Sequence, residues 1–195
     1  MRKNGLIAML VILTLFLAAC STPALIIPKA TEHYDGDATK FVLPSAVDVK
    51  VISDNLPGNY YKRCQEDNCL YYSLDALFSS LKDNISDMLN QADIPASNHR
   101  NTLTLSVKID DMTFYQNKHD LHLAITAMVR LNANKTTLWR QKIQLEKSAT
   151  DIDTLLMNSI NGFSRQLADK LIADCRFNTT VVRCGHHIYW LNGHE

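Results

Sequence analysis

The residues of this sequence that could do chemistry are its cysteines and a histidine pair near the C-terminus. Five cysteines occur, and four of them form two closely spaced pairs, Cys64 with Cys69 and Cys175 with Cys184. His186 and His187 follow the second pair, so thiolate and imidazole groups, the usual ligands of zinc, come together there. The spacing within the pairs is wider than zinc sites usually show, and an even number of cysteines favours disulfides in an exported protein. Of the three pairings that four cysteines permit, we expect the two local ones, with a metal site as the alternative.

The fifth cysteine, Cys20, ends an N-terminal targeting segment. Arg2 and Lys3 precede a 14-residue run that is apolar except for Thr14, which matches a secretory signal and is short for a membrane-spanning helix. The last residues, Leu17-Ala18-Ala19-Cys20, match a bacterial lipobox, in which a peptidase cuts before the cysteine and the cysteine carries acyl chains such as palmitate. We therefore predict a signal peptide at 1–19 and lipidation of Cys20. The alternative is an ordinary signal peptide with a cysteine near its cleavage site.

The composition describes an exported domain once the signal is removed. The 195 residues carry no net charge and are 46% hydrophobic, which disfavours nucleic-acid binding and disorder. Cleavage of 19 residues that include Arg2 and Lys3 leaves 176 residues and a formal charge of −2. Several acyl chains on one cysteine would hold this mature chain firmly at a membrane. This start resembles that of Gram-negative lipoproteins, in which an aspartate after the cysteine favours retention at the inner membrane. By that resemblance, Ser21 implies the periplasmic side of the outer membrane.

Hydrophobic periodicity then predicts the elements of the domain. Residues 20–46 contain three prolines and are predicted as a lipidated tether, 47–174 as the α+β periplasmic domain and 175–195 as a C-terminal extension. Alternation predicts a strand from Val47 and, further along, three strands near 102–109, 121–131 and 139–145. Helical spacing predicts one helix from the N-cap Ser73 to about residue 92 and a second from a capping box at Thr150 to about residue 174. Residues 53–72 are predicted as an irregular insertion.

These elements predict a fold with one apolar sheet face. Both helices are amphipathic, so each must bury its apolar stripe against that face. We expect an α+β two-layer sandwich in the order β-α-β-β-β-α, with an antiparallel four-stranded sheet and both helices on one side. The C-terminal segment is expected to dock on the domain or to extend the sheet as an edge strand, tied by a bridge from Cys175 to Cys184.

Two surfaces are candidates for binding an envelope protein. The uncovered sheet face would carry basic side chains that complement an acidic partner or lipid headgroups: Lys108, Arg130, Arg140 and Lys142, with Lys50 beside them. The segment before the first helix carries tyrosines, which are enriched at interfaces: Tyr60, Tyr61, Tyr71 and Tyr72. The alternatives are an ordinary solvated sheet face and a disulfide-pinned loop that covers the sheet edge.

The order of elements resembles a known group of proteins. A lipobox, a tether, a strand, the stretch Leu70-Tyr71-Tyr72-Ser73-Leu74 entering a helix, a three-stranded meander and a closing helix resemble the outer-membrane lipoproteins that assist ABC-type lipid transporters. The arrangement also resembles the YajG-type lipoproteins and, more distantly, the lipoprotein of the lipopolysaccharide-assembly complex. The resemblance covers about residues 20–174, and the cysteine pairs and the tail after Cys175 depart from it. It implies a non-enzymatic component of the cell envelope, an accessory of lipid transport.

Catalytic motifs are missing from the sequence. It has no Gly-x-Ser-x-Gly elbow, no His-Glu-x-x-His and no Gly-rich phosphate loop. His119 and His122 are interpreted as a turn residue and a solvent-facing strand residue. We therefore expect a binding or assembly protein without cofactor or metal. The alternatives are a metal-dependent periplasmic enzyme that uses the C-terminal Cys/His cluster, and a module that binds a lipid ligand or peptidoglycan directly.

Overall fold

The computed structural model describes residues 47–56, 60–65, 68–90, 103–177 and 181–190. The predicted signal peptide 1–19, Cys20 and the tether 20–46 lie outside the described residues. None of the helices in the described ranges is long and apolar enough to cross a membrane.

A four-stranded sheet forms the centre of the domain. Its strands are β1 (Val47–Ile52), β4 (Leu103–Asn117), β5 (Asp120–Ala133) and β6 (Thr136–Ala149), in the order β1-β4-β5-β6. The last three form the predicted antiparallel meander. Its two tight turns place Lys118 and Asn134 in the left-handed region, with φ of 57° and 52°, as short hairpin turns require.

The sheet is mixed, which corrects the prediction of an antiparallel one. β1 pairs with β4 in parallel, with Val47 opposite Leu103 and Val51 opposite Val107. A hairpin, β2 (Tyr60–Gln65) with β3 (Asn68–Ser73), and helix α1 (Leu74–Asn90) intervene between these strands. A helical crossover returns the chain to the end of the sheet from which it left, so the next strand runs parallel to the first. The same hairpin occupies most of the segment that was predicted to be irregular.

The two helices cover one face of the sheet, as predicted. The second, α2 (Ile152–Asp174), packs on β5 and β6, whereas α1 packs on β1, and the helices touch each other. Ser73 Oγ accepts a hydrogen bond from the backbone N–H of Ala76 at 3.3 Å, which confirms the predicted cap of α1. The cap of α2 is Asp151 and not Thr150, because the Asp151 carboxylate accepts the N–H of Thr154 at 2.8 Å.

The sheet core is continuous although β4 is irregular. Leu103 to Ile109 bury every second side chain, but after a register shift between Ile109 and Asp111 the buried positions become Met112 and Phe114. The shift is a β-bulge, and the extra residue changes which positions point inward. β4 therefore continues for eight residues beyond its predicted end, and Asp110 and Asp111 lie within the strand.

The C-terminal extension forms its own sheet. Strands β7 (Cys175–Phe177), β8 (Val181–Cys184) and β9 (His187–Trp190) pair antiparallel in chain order. The predicted disulfide between Cys175 and Cys184 is present, and both residues are directly opposite each other and buried. The segment does not extend the main sheet as an edge strand. It packs beside β6, and a hydrogen bond from Gly185 N–H to the carbonyl of Asp174 ties it to the end of α2.

Candidate functional site

The strand register collects the predicted basic residues on the uncovered face of the main sheet. Arg130 on β5 lies directly opposite Arg140 on β6. In the next row Met128 lies between Lys108 on β4 and Lys142 on β6. Opposed residues in a sheet have Cβ atoms about 5 Å apart, so four cationic side chains share two adjacent rows. We call the group Lys108, Arg130, Arg140 and Lys142 the basic face.

Three members of the basic face have no acidic counterpart among the residues that the structure describes. Lys108 Nζ pairs with Asp54 Oδ2 at 2.6 Å. Arg130, Arg140 and Lys142 are exposed, and within the described ranges no carboxylate forms a salt bridge with them. Arg140 Nε instead lies 3.1 Å from the Met128 sulfur. The centre of the face is therefore a concentrated positive charge that is open to solvent.

The far end of the same face holds a polar cluster. The rings of Tyr115 and His122 are stacked with centroids 4.6 Å apart, and the Tyr115 hydroxyl donates a hydrogen bond to Glu146. This hydrogen bond, followed by burial and by the charge of Glu146, raises the pKa of Tyr115. His122 Nδ1 lies 3.5 Å from the same carboxylate. The strand register thus places His122 on the same face as the basic residues, as predicted.

The tyrosine segment is positioned by the β2–β3 hairpin. Tyr60 pairs with Ser73 and Tyr61 with Tyr72, and Tyr71 lies opposite Lys62. Tyr72 is only 5% exposed and belongs to the core, so it offers no surface to a partner and that part of the prediction is wrong. Its hydroxyl lies 3.5 Å from Asp153 Oδ1, and burial, followed by the charge and hydrogen bond of Asp153, raises its pKa.

The first predicted cysteine pair lies in the same hairpin. The register places Cys64 directly opposite Cys69, the arrangement that a cross-strand bridge requires. A disulfide between these two residues stays a prediction.

The predicted Cys/His cluster does not form a metal centre in the described ranges. No group of three His, Cys, Asp or Glu side chains is arranged there to hold an ion. His186 and His187 are exposed, and Cys184 is bonded to Cys175. A disulfide sulfur is not the thiolate that binds zinc, so the observed bridge removes the sulfur ligands of the metal alternative.

Two clefts lie on either side of β6. One of about 500 Å³ lies between β6 and α2 and is polar; it is lined by Glu146, Lys147, Ser148, Asn158, Asn161, Gly162 and Arg165. The other, of about 340 Å³, lies between β6 and the C-terminal sheet, next to Trp139 and Cys184. There the Trp139 indole N–H and the Gln141 amide both donate to the Asp174 carboxylate, at 2.8 and 3.2 Å.

Sequence reasoning missed one exposed surface, on β7–β9. Ile188 and Trp190 are 50% and 53% exposed and lie on one side of β9, two residues apart. The sequence alternation in this segment already places Ile188 and Trp190 on one side of a strand. Sequence analysis ordinarily assigns an apolar side to the core, so this side was not recognised as exposed.

The fold and the basic face define a two-layer α+β domain in which neither described helix covers the second face of the sheet. No protein-family model and no curated protein matches the chain. The chain shares its fold with protein XCC0632 from Xanthomonas campestris, of the family DUF330, at a TM-score of 0.53 and 10% identity, over 75% of this chain and 93% of that one.

Two further solved structures are similar at lower scores. Hypothetical protein CT253 from Chlamydia trachomatis has a TM-score of 0.43 and 11% identity, over 66% of this chain and 96% of that one. A minor lipoprotein from Acinetobacter baumannii has a TM-score of 0.38 and 12% identity, over 67% and 92%. The shared fold rests on the first of the three comparisons, and none of them is similar enough in sequence to transfer an activity.

Proposed function

We propose that this chain is a lipid-anchored periplasmic lipoprotein whose basic face binds an acidic surface of an envelope protein. It acts as a non-enzymatic binding component, an outer-membrane accessory of an ABC-type lipid transport system. The observation that carries the proposal is the juxtaposition of Arg130, Arg140 and Lys142 on a sheet face where, among the described residues, no carboxylate forms a salt bridge with them.

The anchor is supported by the sequence of the first twenty residues. The charged start, the apolar run and Leu17-Ala18-Ala19-Cys20 are the features that direct export and lipidation of Cys20. The Cys175–Cys184 disulfide agrees with this route, because disulfides persist in the oxidising periplasm and are rare in the cytosol.

Protein binding is supported by the electrostatics of the basic face. Like charges directly opposite each other in a sheet destabilise it, so the Arg130–Arg140 pair lowers the stability of the free domain. A carboxylate between the two guanidinium groups removes that repulsion and accepts bidentate hydrogen bonds. Binding of an acidic partner therefore removes a repulsion between arginines that destabilises the free domain.

A photo-reactive residue at Gln144 tests the proposal in intact cells, because Gln144 is exposed on the same face and leaves the basic side chains in place. The expected result is a covalent adduct with one envelope protein. The double variant Arg130→Glu/Arg140→Glu should lose this adduct, and changing carboxylates of the partner to lysine should restore it. The matched control is Lys82→Glu/Lys135→Glu, which makes the same change of charge at two other exposed positions and should keep the adduct.

Cys20→Ala tests the anchor separately. The variant should leave the outer-membrane fraction and appear as soluble or unprocessed protein. Unchanged outer-membrane fractionation of Cys20→Ala would refute lipid anchoring, and an adduct that survives reversal of both arginines would refute binding through the basic face.

A further inference from the structure

The C-terminal sheet has two faces of opposite character. Cys175, Cys184, Phe177 and Val182 point toward the domain, where the two cysteines and Val182 are buried. The outward side carries the alternating positions of the same strands: Arg176, Arg183, Ile188, Val181 and Trp190.

The register makes these outward side chains neighbours. Arg176, Arg183 and Ile188 form one row across the three strands, and Val181 lies opposite Trp190 in the outer row. Both arginines are exposed, and half of the surface of Ile188 and of Trp190 is accessible. We call these five residues the Trp190 face.

The side-chain chemistry of the Trp190 face is unusually restricted. It contains two guanidinium groups, two aliphatic side chains and one indole, and β7, β8 and β9 contain no acidic residue. Arg176 Nη1 donates to the carbonyl of Ile172 at 2.9 Å, which holds that guanidinium against the end of α2. Arginine binds phosphate bidentately, and tryptophan locates at the headgroup level of bilayers with its ring among the acyl chains.

We propose that the Trp190 face is a membrane-docking surface that binds anionic phospholipid headgroups, with Trp190 and Ile188 inserted at the interface. A membrane is favoured over a protein partner because the face has no amide, hydroxyl or carboxylate side chain that would specify a protein. This choice rests on the proposed lipid anchor, which holds the domain beside a bilayer and makes weak docking effective through high local concentration. The disulfide joins β7 and β8, the strands that carry both arginines, and β9 pairs with β8, so the five residues already share one face in the absence of lipid.

The test uses residues 21–195 in oxidised form, because every buried core residue of the described ranges falls between Val47 and Cys184. Vesicles of phosphatidylethanolamine and phosphatidylglycerol at 3:1 should sediment the protein, and phosphatidylcholine vesicles should not. The sequence has two tryptophans, and Trp139 is buried at 7% exposure, so a blue shift of emission on binding reports Trp190.

Variants separate this surface from general attraction between protein and vesicle. Trp190→Ser should abolish the blue shift and most of the sedimentation, and Arg183→Gln should weaken vesicle affinity roughly fivefold. Lys82→Gln makes the same charge change on exposed α1 and should bind like the parent. Circular dichroism of each variant establishes that the fold is intact.

Failure of binding to the anionic vesicles, or binding that is equal in Trp190→Ser and the parent, would overturn the proposal. A photo-crosslink from position 190 to a protein in place of lipid would overturn it as well, and would make the face a protein-docking surface. None of these results affects the proposed function, which is tested at Cys20 and Gln144, far from β9 in the sequence. A soluble Cys20→Ala variant together with vesicle binding would conversely confirm docking that is separate from the anchor.

Discussion

Removal of the Cys175–Cys184 disulfide should destabilise the whole domain and not only the C-terminal sheet. Both cysteines and Val182 belong to the same core cluster as α2 and the main sheet, and Gly185 and Asp174 connect the two parts. Because the buried contacts are continuous, β7 and β8 are expected to unfold with the rest of the domain. The cost should therefore appear in the global free energy of unfolding.

The magnitude follows from the loop that the bridge closes. The two cysteines are nine residues apart, and the chain-entropy relation for a loop of that length gives about 2.6 kcal/mol at 25 °C. The removal of two buried sulfur atoms adds a smaller loss of packing. We expect Cys175→Ala/Cys184→Ala to lower the free energy of unfolding by about 2.5 to 4 kcal/mol, with the midpoint in urea shifted and the slope nearly unchanged.

The assay is urea unfolding of residues 21–195, followed by circular dichroism and by Trp139 fluorescence in a Trp190→Phe background. A dithiol reductant should destabilise the parent by more than this amount, because it also reduces the predicted Cys64–Cys69 bridge. In the double variant, any remaining destabilisation by the reductant reports reduction of the predicted Cys64–Cys69 bridge. A thiol assay of the unfolded double variant should then detect no free thiol before reduction.

Two outcomes would refute the reasoning about the disulfide. A loss below about 1 kcal/mol would show that the bridge constrains little of the unfolded chain. Separate transitions for the C-terminal sheet and Trp139 would show that β7–β9 unfold independently and that the core is not cooperative.

Two further predictions concern α2. Gly162→Ala should stabilise the domain by roughly 0.5–1 kcal/mol in urea unfolding, because alanine is the better helix former. A new Cβ would lie 2.6 Å from Cε at the end of the flexible Lys147 side chain, which must shift, and at an ordinary contact distance of 3.5 Å from Leu145 Cδ1. A loss of stability would mean that Lys147 cannot move. Asp151→Ala should lower the melting temperature whereas Asp151→Asn, which can still accept the Thr154 N–H, should not. The backbone N–H of Thr154 lowers the pKa of Asp151, so the charge-dependent part of its contribution is complete above about pH 4, the ordinary pKa of aspartate, and declines as pH falls through the lowered value. A difference between parent and Asp151→Ala that does not decrease on acidification would contradict this role.

Local sequence patterns correctly predicted those features that depend only on residues close together in the chain. The period of two along β5 and the helical spacing of Leu155, Leu167 and their neighbours predicted a strand and a helix that the structure contains. The Cys175–Cys184 bridge was predicted from spacing alone, because a short loop brings its own ends together. The basic face was also predicted, since alternation assigns Arg130, Arg140 and Lys142 to the side opposite the apolar residues.

Other features depended on residues far apart in the chain. Up to Ile109 the odd-numbered side chains of β4 are buried, and after the bulge the even-numbered Met112 and Phe114 are buried instead. The alternation in the sequence is interrupted there, so it predicted that the strand ends at Ile109. The alternation of β1 was visible, but its direction relative to β4 depends on the path of the intervening α1. A period of two determines which side chains share a face and contains no information about strand direction.

The sequence by itself determined the helices, the meander, the local disulfide and the side of the sheet on which the basic residues lie. Only the tertiary structure decided that Arg130 meets Arg140, that Tyr72 is buried against Asp153, and that Trp190 and Ile188 point outward beside two arginines. The physical reason is that alternation and helical periodicity are local properties of the chain. Register, strand direction and the exposure of an apolar face are set by which distant elements pack together.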